Sequence, residues 1–153
     1  MPGIVLDLVT LGLHLERFRE RGARIVLTNG VFDLLHVGHL RYLRQAHALG
    51  DVLVVGVNAD AAVVKPGRPL VPEAERAELV AALEPVDYVV IFSTLTADSL
   101  LRAVRPDVYV KGGDYAEASL PEAATARELG VELVFIPLVE GHSTSELLRN
   151  LSS

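Results

Sequence analysis

Residues 24–57 read RIVLTNGVFDLLHVGHLRYLRQAHALGDVLVVGV, and this stretch predicts two strands joined by a helix. Residues 24–28 form a short apolar run that is typical of a strand. Residues 38–49 carry apolar side chains at helical spacing and are followed by Gly50, a common helix terminator. Residues 52–57 are apolar at nearly every position, as in strands that are buried on both faces of a parallel sheet. The order strand, helix, strand therefore predicts a βαβ unit.

The same alternation continues along the rest of the chain. We predict further helices over residues 8–21, 73–83, 96–104, 121–129 and 143–151, and further strands over 88–92, 107–110 and 132–136. Such alternation specifies a parallel sheet with helices on both faces and right-handed crossovers. We expect an α/β fold of the Rossmann-like, three-layer α/β/α type with a five-stranded parallel sheet. The length fits a single domain over residues 1–153, with a core over 24–151 and an added N-terminal helix within 1–22.

Composition excludes several classes of protein. The 153 residues include 14 Lys and Arg against 20 Asp and Glu, and the formal charge of −6 argues against coating of nucleic acid. The lack of cysteine excludes disulfides, thiolate metal sites and a cysteine nucleophile. Every long apolar run is interrupted by charges, so no membrane span is expected, and the first residues lack the basic start of a secretion signal. We expect a soluble, cytoplasmic domain with no nucleic-acid or membrane partner.

Two histidines follow the first strand of the 24–57 unit. Ligands of open α/β sheets bind outside the carboxyl ends of the strands, and residues 28–39 lie at such an end. The stretch is neither a Walker loop nor a dinucleotide fingerprint. It carries His36 and His39, three residues apart on one face of a helix start, where unpaired N–H groups and a partial positive charge favour anions. Gly38 between them permits close approach of a ligand to the backbone. The pattern predicts a phosphate site.

Two other interpretations of the histidine pair stay open. The rings can be structural, each satisfied by backbone carbonyl groups at the start of the helix. The pair can also bind a metal ion, although no carboxylate or third histidine lies nearby at ligand spacing.

Lysines are rare and fall at the predicted ligand edge. The chain has only two, Lys65 and Lys111, and both follow predicted strands. Each can bind phosphate or can be an ordinary solvated loop lysine. Near the end of the chain, Ser143 or Thr144 followed by Glu146 predicts an N-cap box for the last helix, and the same helix start can also hold a phosphate.

Four separate motifs resemble one known family. They are TNGVFDLLHVGH at 28–39, Asn58-Ala59-Asp60, Glu75-Arg76 and GHSTS at 141–145. Together they resemble the cytidylyltransferase-like nucleotidyltransferases, which join a nucleoside triphosphate to a phosphorylated substrate and release pyrophosphate. The resemblance extends over residues 24–151. Within this group, VKGGDY at 110–115 and the preceding Pro106-Asp107 are most similar to the adenylyltransferases of ADP-heptose synthesis.

The resemblance implies roles for individual residues. It implies that His36 and His39 bind the α-phosphate and the departing pyrophosphate, and that Lys65 and Arg76 neutralise the triphosphate or the incoming phosphate. It implies nucleotide binding by Thr28, Asn29, Gly30, Val31, Phe32, Gly38, Asp60, Lys111, Gly113, Asp114, Ser143 and Thr144. No residue is expected to be a dedicated metal ligand, because the triphosphate would carry most of the coordination of Mg²⁺.

The expected reaction is transfer of AMP from ATP to a sugar 1-phosphate of the heptose 1-phosphate type, by direct in-line attack with release of pyrophosphate. One alternative is a glycerol-3-phosphate cytidylyltransferase, which would use CTP; against it, the arginine and threonine positions of that family are Leu138 and Val31 here. Another alternative is a regulatory module that binds nucleotide without turnover. The resemblance also implies that the chain can form a homodimer.

Overall fold

A computed structural model of the chain describes residues 2–113 and 120–137. Its strands are β1 (Ile4–Val5), β2 (Ile25–Gly30), β3 (Val52–Asn58), β4 (Tyr88–Phe92), β5 (Val108–Gly112) and β6 (Glu132–Ile136). Its helices are α1 (Leu8–Glu20), α2 (Val37–His47), α3 (Glu73–Ala81), α4 (Asp98–Val104) and α5 (Ala123–Leu129), with a 3₁₀ turn at Asp60–Ala62. The predicted helix over 143–151 lies outside the described residues.

All strand pairs are parallel, and the sheet order is β1-β4-β3-β2-β5-β6. This confirms the predicted Rossmann-like α/β fold. From β2, the chain proceeds outward through β3 to β4, and it then crosses back to β5 on the other side of β2. The strand order therefore reverses between β2 and β5, and a crevice for ligands is expected at the carboxyl ends of these two strands.

Over the described residues the sheet has six strands, one more than the five predicted. The additional strand is β1, which pairs Ile4 with Tyr88 of β4. It is only two residues long and its side chains are exposed, so it has no periodicity that sequence reasoning could recognise. Gly3 makes the attachment tight: its N–H donates to the Ala81 carbonyl at 2.7 Å, and a Cβ there would lie 2.7 Å from the Val86 carbonyl oxygen.

Helices cover both faces of the sheet. Successive side chains of β2 alternate between two cores, with Ile25 and Leu27 on one face and Val26 on the other. The first core includes Leu11 and Leu15 of α1, Leu100 and Leu101 of α4, and Ala123 and Ala126 of α5. The second includes Leu43 and Ala46 of α2 with Ala77 and Val80 of α3. The predicted N-terminal helix is thus packed into the same core as α4 and α5.

Among the described residues, no helix is both long enough and apolar enough to cross a membrane.

We expect Gly50→Ala to lower the free energy of unfolding by about 1–3 kcal/mol, because overpacking carries a cost of this size. A Cβ at Gly50 would lie 2.7 Å from the Arg24 carbonyl oxygen and 2.7 Å from Val26 Cγ2. The matched control is Gly12→Ala in α1, where a Cβ would meet no atom within 4 Å other than those of its chain neighbours and its own helix backbone, and where alanine stabilises a helix by up to about 1 kcal/mol. Urea unfolding measures both changes, and equal stability of the two variants would contradict the prediction.

Candidate active site

Backbone amides hold both histidines at the start of α2. His36 is the N-cap residue, and its Nδ1 accepts from the Gly38 N–H at 3.1 Å. His39 Nδ1 accepts from the His36 N–H at 3.2 Å. An Nδ1 that accepts a hydrogen bond carries no proton, so each neutral ring has its proton on Nε2. The partners of the two Nδ1 atoms are amides and not the carbonyls of the structural interpretation.

The two imidazole rings lie against each other and against an aromatic ring. The ring centroids of His36 and His39 are 4.0 Å apart, and those of Phe32 and His39 are 5.5 Å apart. Burial, and secondly the neighbouring His36, lower the pKa of His39 from 6.5 to about 4. His39 is therefore neutral at pH 7 in the absence of a bound anion.

Phe32 has a backbone conformation that is uncommon for a residue with a side chain. Its φ is 51°, in the left-handed region, and its side chain is buried. A Cβ at Gly30 would lie 3.0 Å from the Phe32 ring, so a side chain at position 30 would push against this ring. The turn after β2 thereby places Phe32 between Gly30 and His39.

A cleft of about 350 Å³ opens between the segments that follow β2 and β3. It is lined by Val31, Phe32, Asp33, His39, Ala62, Val63, Val64, Lys65 and Arg68. Of the four residues predicted to be catalytic, His39 and Lys65 line this cleft, and His36 contacts His39 beside it. The exposed Lys65 is the only one of the four with its charge in solvent at the cleft.

Arg76 is fully buried and does not line the cleft. Its Nε donates to the Val71 carbonyl at 2.8 Å, and its Nη1 donates to the carbonyls of Val31 at 2.7 Å and Asn58 at 2.8 Å. Its Nη2 pairs with Asp60 at 2.6 Å. The structure thus does not bring Arg76 to the other predicted catalytic residues. Arg76 instead ties together three segments: the one after β2, the end of β3 and the one before α3. Asp60 is its counter-ion.

Thr28 and Asn29 connect β2 to β5 at the point where the strand order reverses. Thr28 is completely buried; its Oγ1 donates to the Val110 carbonyl at 2.9 Å and lies 2.6 Å from the Tyr42 hydroxyl. Burial raises the pKa of Tyr42 to about 12. The Tyr109 hydroxyl donates to Asn29 Oδ1. These bonds fix the edge of the crevice, and the Thr28 side chain faces the interior.

Lys111 and Gly113 lie at the end of β5. Lys111 is half-buried; burial lowers its pKa, and the buried Glu122 opposes this effect. Glu122 also accepts from the Ala97 N–H at 2.9 Å. Gly113 has a φ of 106° and donates to the Ile136 carbonyl at 3.0 Å, so glycine is required there. Lys111 is therefore not a fully solvated loop lysine.

Sequence reasoning did not select Asp33 and Arg68 as site residues, yet both line the cleft. Asp33, which by spacing is an ordinary loop carboxylate, is only 4% exposed. The available signal was position: Asp33 directly follows Phe32, and Arg68 lies in the same Pro/Gly-containing loop as Lys65. The predicted nucleotide-binding residues Asp114, Ser143 and Thr144 lie outside the described residues.

Within residues 2–113 and 120–137, no group of three or more His, Asp or Glu side chains could hold a metal ion. The two carboxylates beside the site are already paired, Asp33 with Arg68 and Asp60 with Arg76. Nothing in this donor set forms a dedicated cage for a divalent cation.

Comparison with known proteins gives a consistent result. The family model described as cytidylyltransferase-like matches residues 27–150. The bifunctional protein HldE of Syntrophotalea carbinolica is 45% identical over 140 residues, which is 90% of this chain and 29% of that protein. The bifunctional protein HldE of Koribacter versatilis is 48% identical over 136 residues, or 87% of this chain and 28% of that protein. The chain thus spans less than a third of the length of these curated relatives.

A solved structure is also similar. The lipopolysaccharide core biosynthesis protein from Thermoplasma volcanium GSS1 superposes with a TM-score of 0.66 at 31% sequence identity. The match covers 77% of this chain and 98% of that one. The resemblance that the sequence motifs predict is confirmed, and the chain belongs to the cytidylyltransferase-like family.

Proposed function

We propose that this protein is a nucleotidyltransferase that transfers AMP from ATP to a sugar 1-phosphate of the heptose 1-phosphate type, with release of pyrophosphate. The observation that carries the proposal is the pair of Nε2–H-bearing imidazoles at the N-terminus of α2, beside a cleft that also contains Lys65. Similarity to bifunctional proteins HldE and to a lipopolysaccharide core biosynthesis protein supports a sugar as the acceptor.

The chemistry is a direct displacement at phosphorus. A phosphate oxygen of the sugar 1-phosphate forms a bond to the α-phosphorus of ATP, the bond from that phosphorus to the bridging oxygen breaks, and pyrophosphate leaves with the electron pair. Because the nucleophile is already an anion, no general base is required. The protein has to bring two anions together and stabilise the charge on the oxygens around the reacting phosphorus, which is the task of the Nε2–H groups of His36 and His39 and of the Lys65 ammonium.

The two substrates need separate positions. The crevice between β2 and β5, beside Asn29 and Lys111, has the topology of a nucleotide site. The cleft between the segments after β2 and β3 lies on the opposite side of β2 and contains Lys65. This arrangement supports binding of the nucleoside portion of ATP near β5, with a further phosphate group in the cleft.

Magnesium fits this proposal as an ion that arrives with the nucleotide. When bound, Mg²⁺ would neutralise part of the triphosphate charge, and its coordination would come mainly from phosphate oxygens and water. The pairing of Asp33 and Asp60 with arginines is consistent with coordination of Mg²⁺ mainly by phosphate and water rather than by these carboxylates.

Two further properties are part of the proposal. We propose a cytoplasmic location, and a homodimer as the assembled form. Four exposed apolar side chains on β1 and α1, namely Ile4, Val5, Val9 and Leu13, support association. Sedimentation velocity measures the assembly directly.

The reaction is tested with each of the four nucleoside triphosphates against heptose 1-phosphate, other sugar 1-phosphates and glycerol 3-phosphate, with pyrophosphate release as the readout. We expect turnover with ATP and a sugar 1-phosphate. Turnover only with CTP and glycerol 3-phosphate would contradict the proposal in favour of a cytidylyltransferase. Nucleotide binding without turnover on any acceptor would indicate a regulatory module.

We expect His36→Asn and His39→Ala each to lower kcat by about two to four orders of magnitude, as losses of single electrostatic donors do. Asparagine at position 36 retains a side-chain oxygen for the N-cap, so the melting temperature should change little. The control is His47→Ala at the other end of α2, which should retain full turnover. Near-normal kcat in either site variant would contradict the assigned role.

The lowered pKa of His39 predicts a loss of stability on acidification. The unfolded chain takes up a proton near pH 6.5, whereas the folded protein does so only near pH 4, so stability is lost as pH falls between these values. We expect His39→Gln to lose less unfolding free energy than the parent between about pH 7 and about pH 5, as measured by urea titration. Equal losses in both proteins would show that His39 titrates normally.

A further inference from the structure

A buried carboxylate holds the arginine that lines the cleft beside His39. Asp33 accepts from Arg68 Nε at 2.5 Å and from the backbone amides of Leu70 and Val71, each at 2.9 Å. We propose that Arg68 binds a phosphate group in the cleft and that Asp33 is the residue that positions it. This inference rests on the proposed nucleotidyltransferase function and assigns two residues within its site.

The charge state of Asp33 suits this task. Burial by itself would raise the pKa of Asp33, but the amides of Leu70 and Val71 and the Arg68 guanidinium outweigh it and hold the pKa below its ordinary value. Asp33 is therefore an anion at neutral pH, and its side chain is 1% exposed where it meets Arg68. A buried carboxylate with three donors has little freedom to move, so the guanidinium is held in one place.

The Arg68 guanidinium uses only one of its three nitrogens to bind Asp33. Within residues 2–113 and 120–137, Asp33 is the only hydrogen-bond partner of the Arg68 side chain, and the bond uses Nε alone. The two terminal nitrogens thus retain their donors, and the side chain is 18% exposed at the cleft. Two parallel N–H groups match two oxygens of a phosphate, which a lysine ammonium cannot do.

The loop presents two cations from one turn. The Arg68 N–H donates to the Lys65 carbonyl at 3.2 Å, and Gly67 between them has a φ of 72°. Asp33 anchors the C-terminal side of this turn, while the preceding residue, Phe32, contacts His39. Arg68, Lys65 and His39 therefore line one cleft, and Asp33, the one carboxylate among its described lining residues, is already neutralised by Arg68. The ligand that fits is a phosphate group, from either the sugar phosphate or the triphosphate.

Steady-state kinetics test the assignment. We expect Arg68→Gln to raise the KM of one phosphorylated substrate by about 10- to 100-fold, the range for loss of a charged hydrogen bond, with a smaller change in kcat. A rise for the sugar phosphate identifies the acceptor phosphate as the ligand, and a rise for ATP identifies the triphosphate. Arg68→Lys should recover part of the loss. The control, Arg44→Gln at an exposed ion pair with Glu84, should leave both KM values unchanged.

A double-mutant cycle tests the positioning role. Asp33→Asn keeps an oxygen for the amides of Leu70 and Val71 but removes the charge that holds Arg68. It should raise the KM of the same substrate as Arg68→Gln, and the double variant should be no worse than Arg68→Gln alone. Additive effects would overturn the positioning role. If Asp33→Asn fails to fold, the Arg68 variants decide the inference. A normal KM for both substrates in Arg68→Gln overturns it. A raised KM in Arg68→Gln that is partly brought back towards the parent value in Arg68→Lys supports it.

Binding of inorganic phosphate and pyrophosphate, measured by calorimetry, separates this inference from the proposed reaction. Weaker binding in Arg68→Gln, even if no acceptor supports turnover, supports the inference while the proposed reaction fails. Unchanged binding together with normal KM values in an active enzyme overturns the inference and leaves the reaction intact.

Discussion

The candidate active site depends on the buried guanidinium of Arg76. Burying a charge is costly unless the group is paired and hydrogen-bonded, and each nitrogen of Arg76 has a partner among three backbone carbonyls and one carboxylate. Those carbonyls belong to Val31, Asn58 and Val71, on the segments that form the walls of the cleft and its support. Arg76 therefore holds the segment after β2, the end of β3 and the segment before α3 together beside the cleft.

Much of the fold could be predicted because it follows from apolar patterning. Strands buried on both faces, such as β3, and helices that pack one apolar face are recognisable in short windows of sequence. The two-residue β1 was not recognisable, because its position is determined by a backbone contact of Gly3 with the distant Ala81. Sequence patterns describe local periodicity, and this strand has none.

The site was only partly predictable, for a related reason. The motif identified His36 and His39, but whether carbonyls or amides bind them depends on how the chain enters α2. The two arginines show the same limit. The resemblance points to Arg76 as a phosphate ligand and not to Arg68, whereas tertiary packing buries Arg76 away from the cleft and places Arg68 at its wall. The buried Asp33 accounts for the position of Arg68, because this carboxylate binds Arg68 at the cleft.

The shortness of β1 has a consequence for how molecules of this protein can meet. A long, flat edge strand offers a row of backbone donors and acceptors onto which another chain can add, and this promotes aggregation. With β1 limited to Ile4–Val5, that side of the sheet offers almost no such row before the chain turns into α1. Contact between copies on this side would have to be made by side chains, which favours a defined, closed assembly over open-ended growth of fibres.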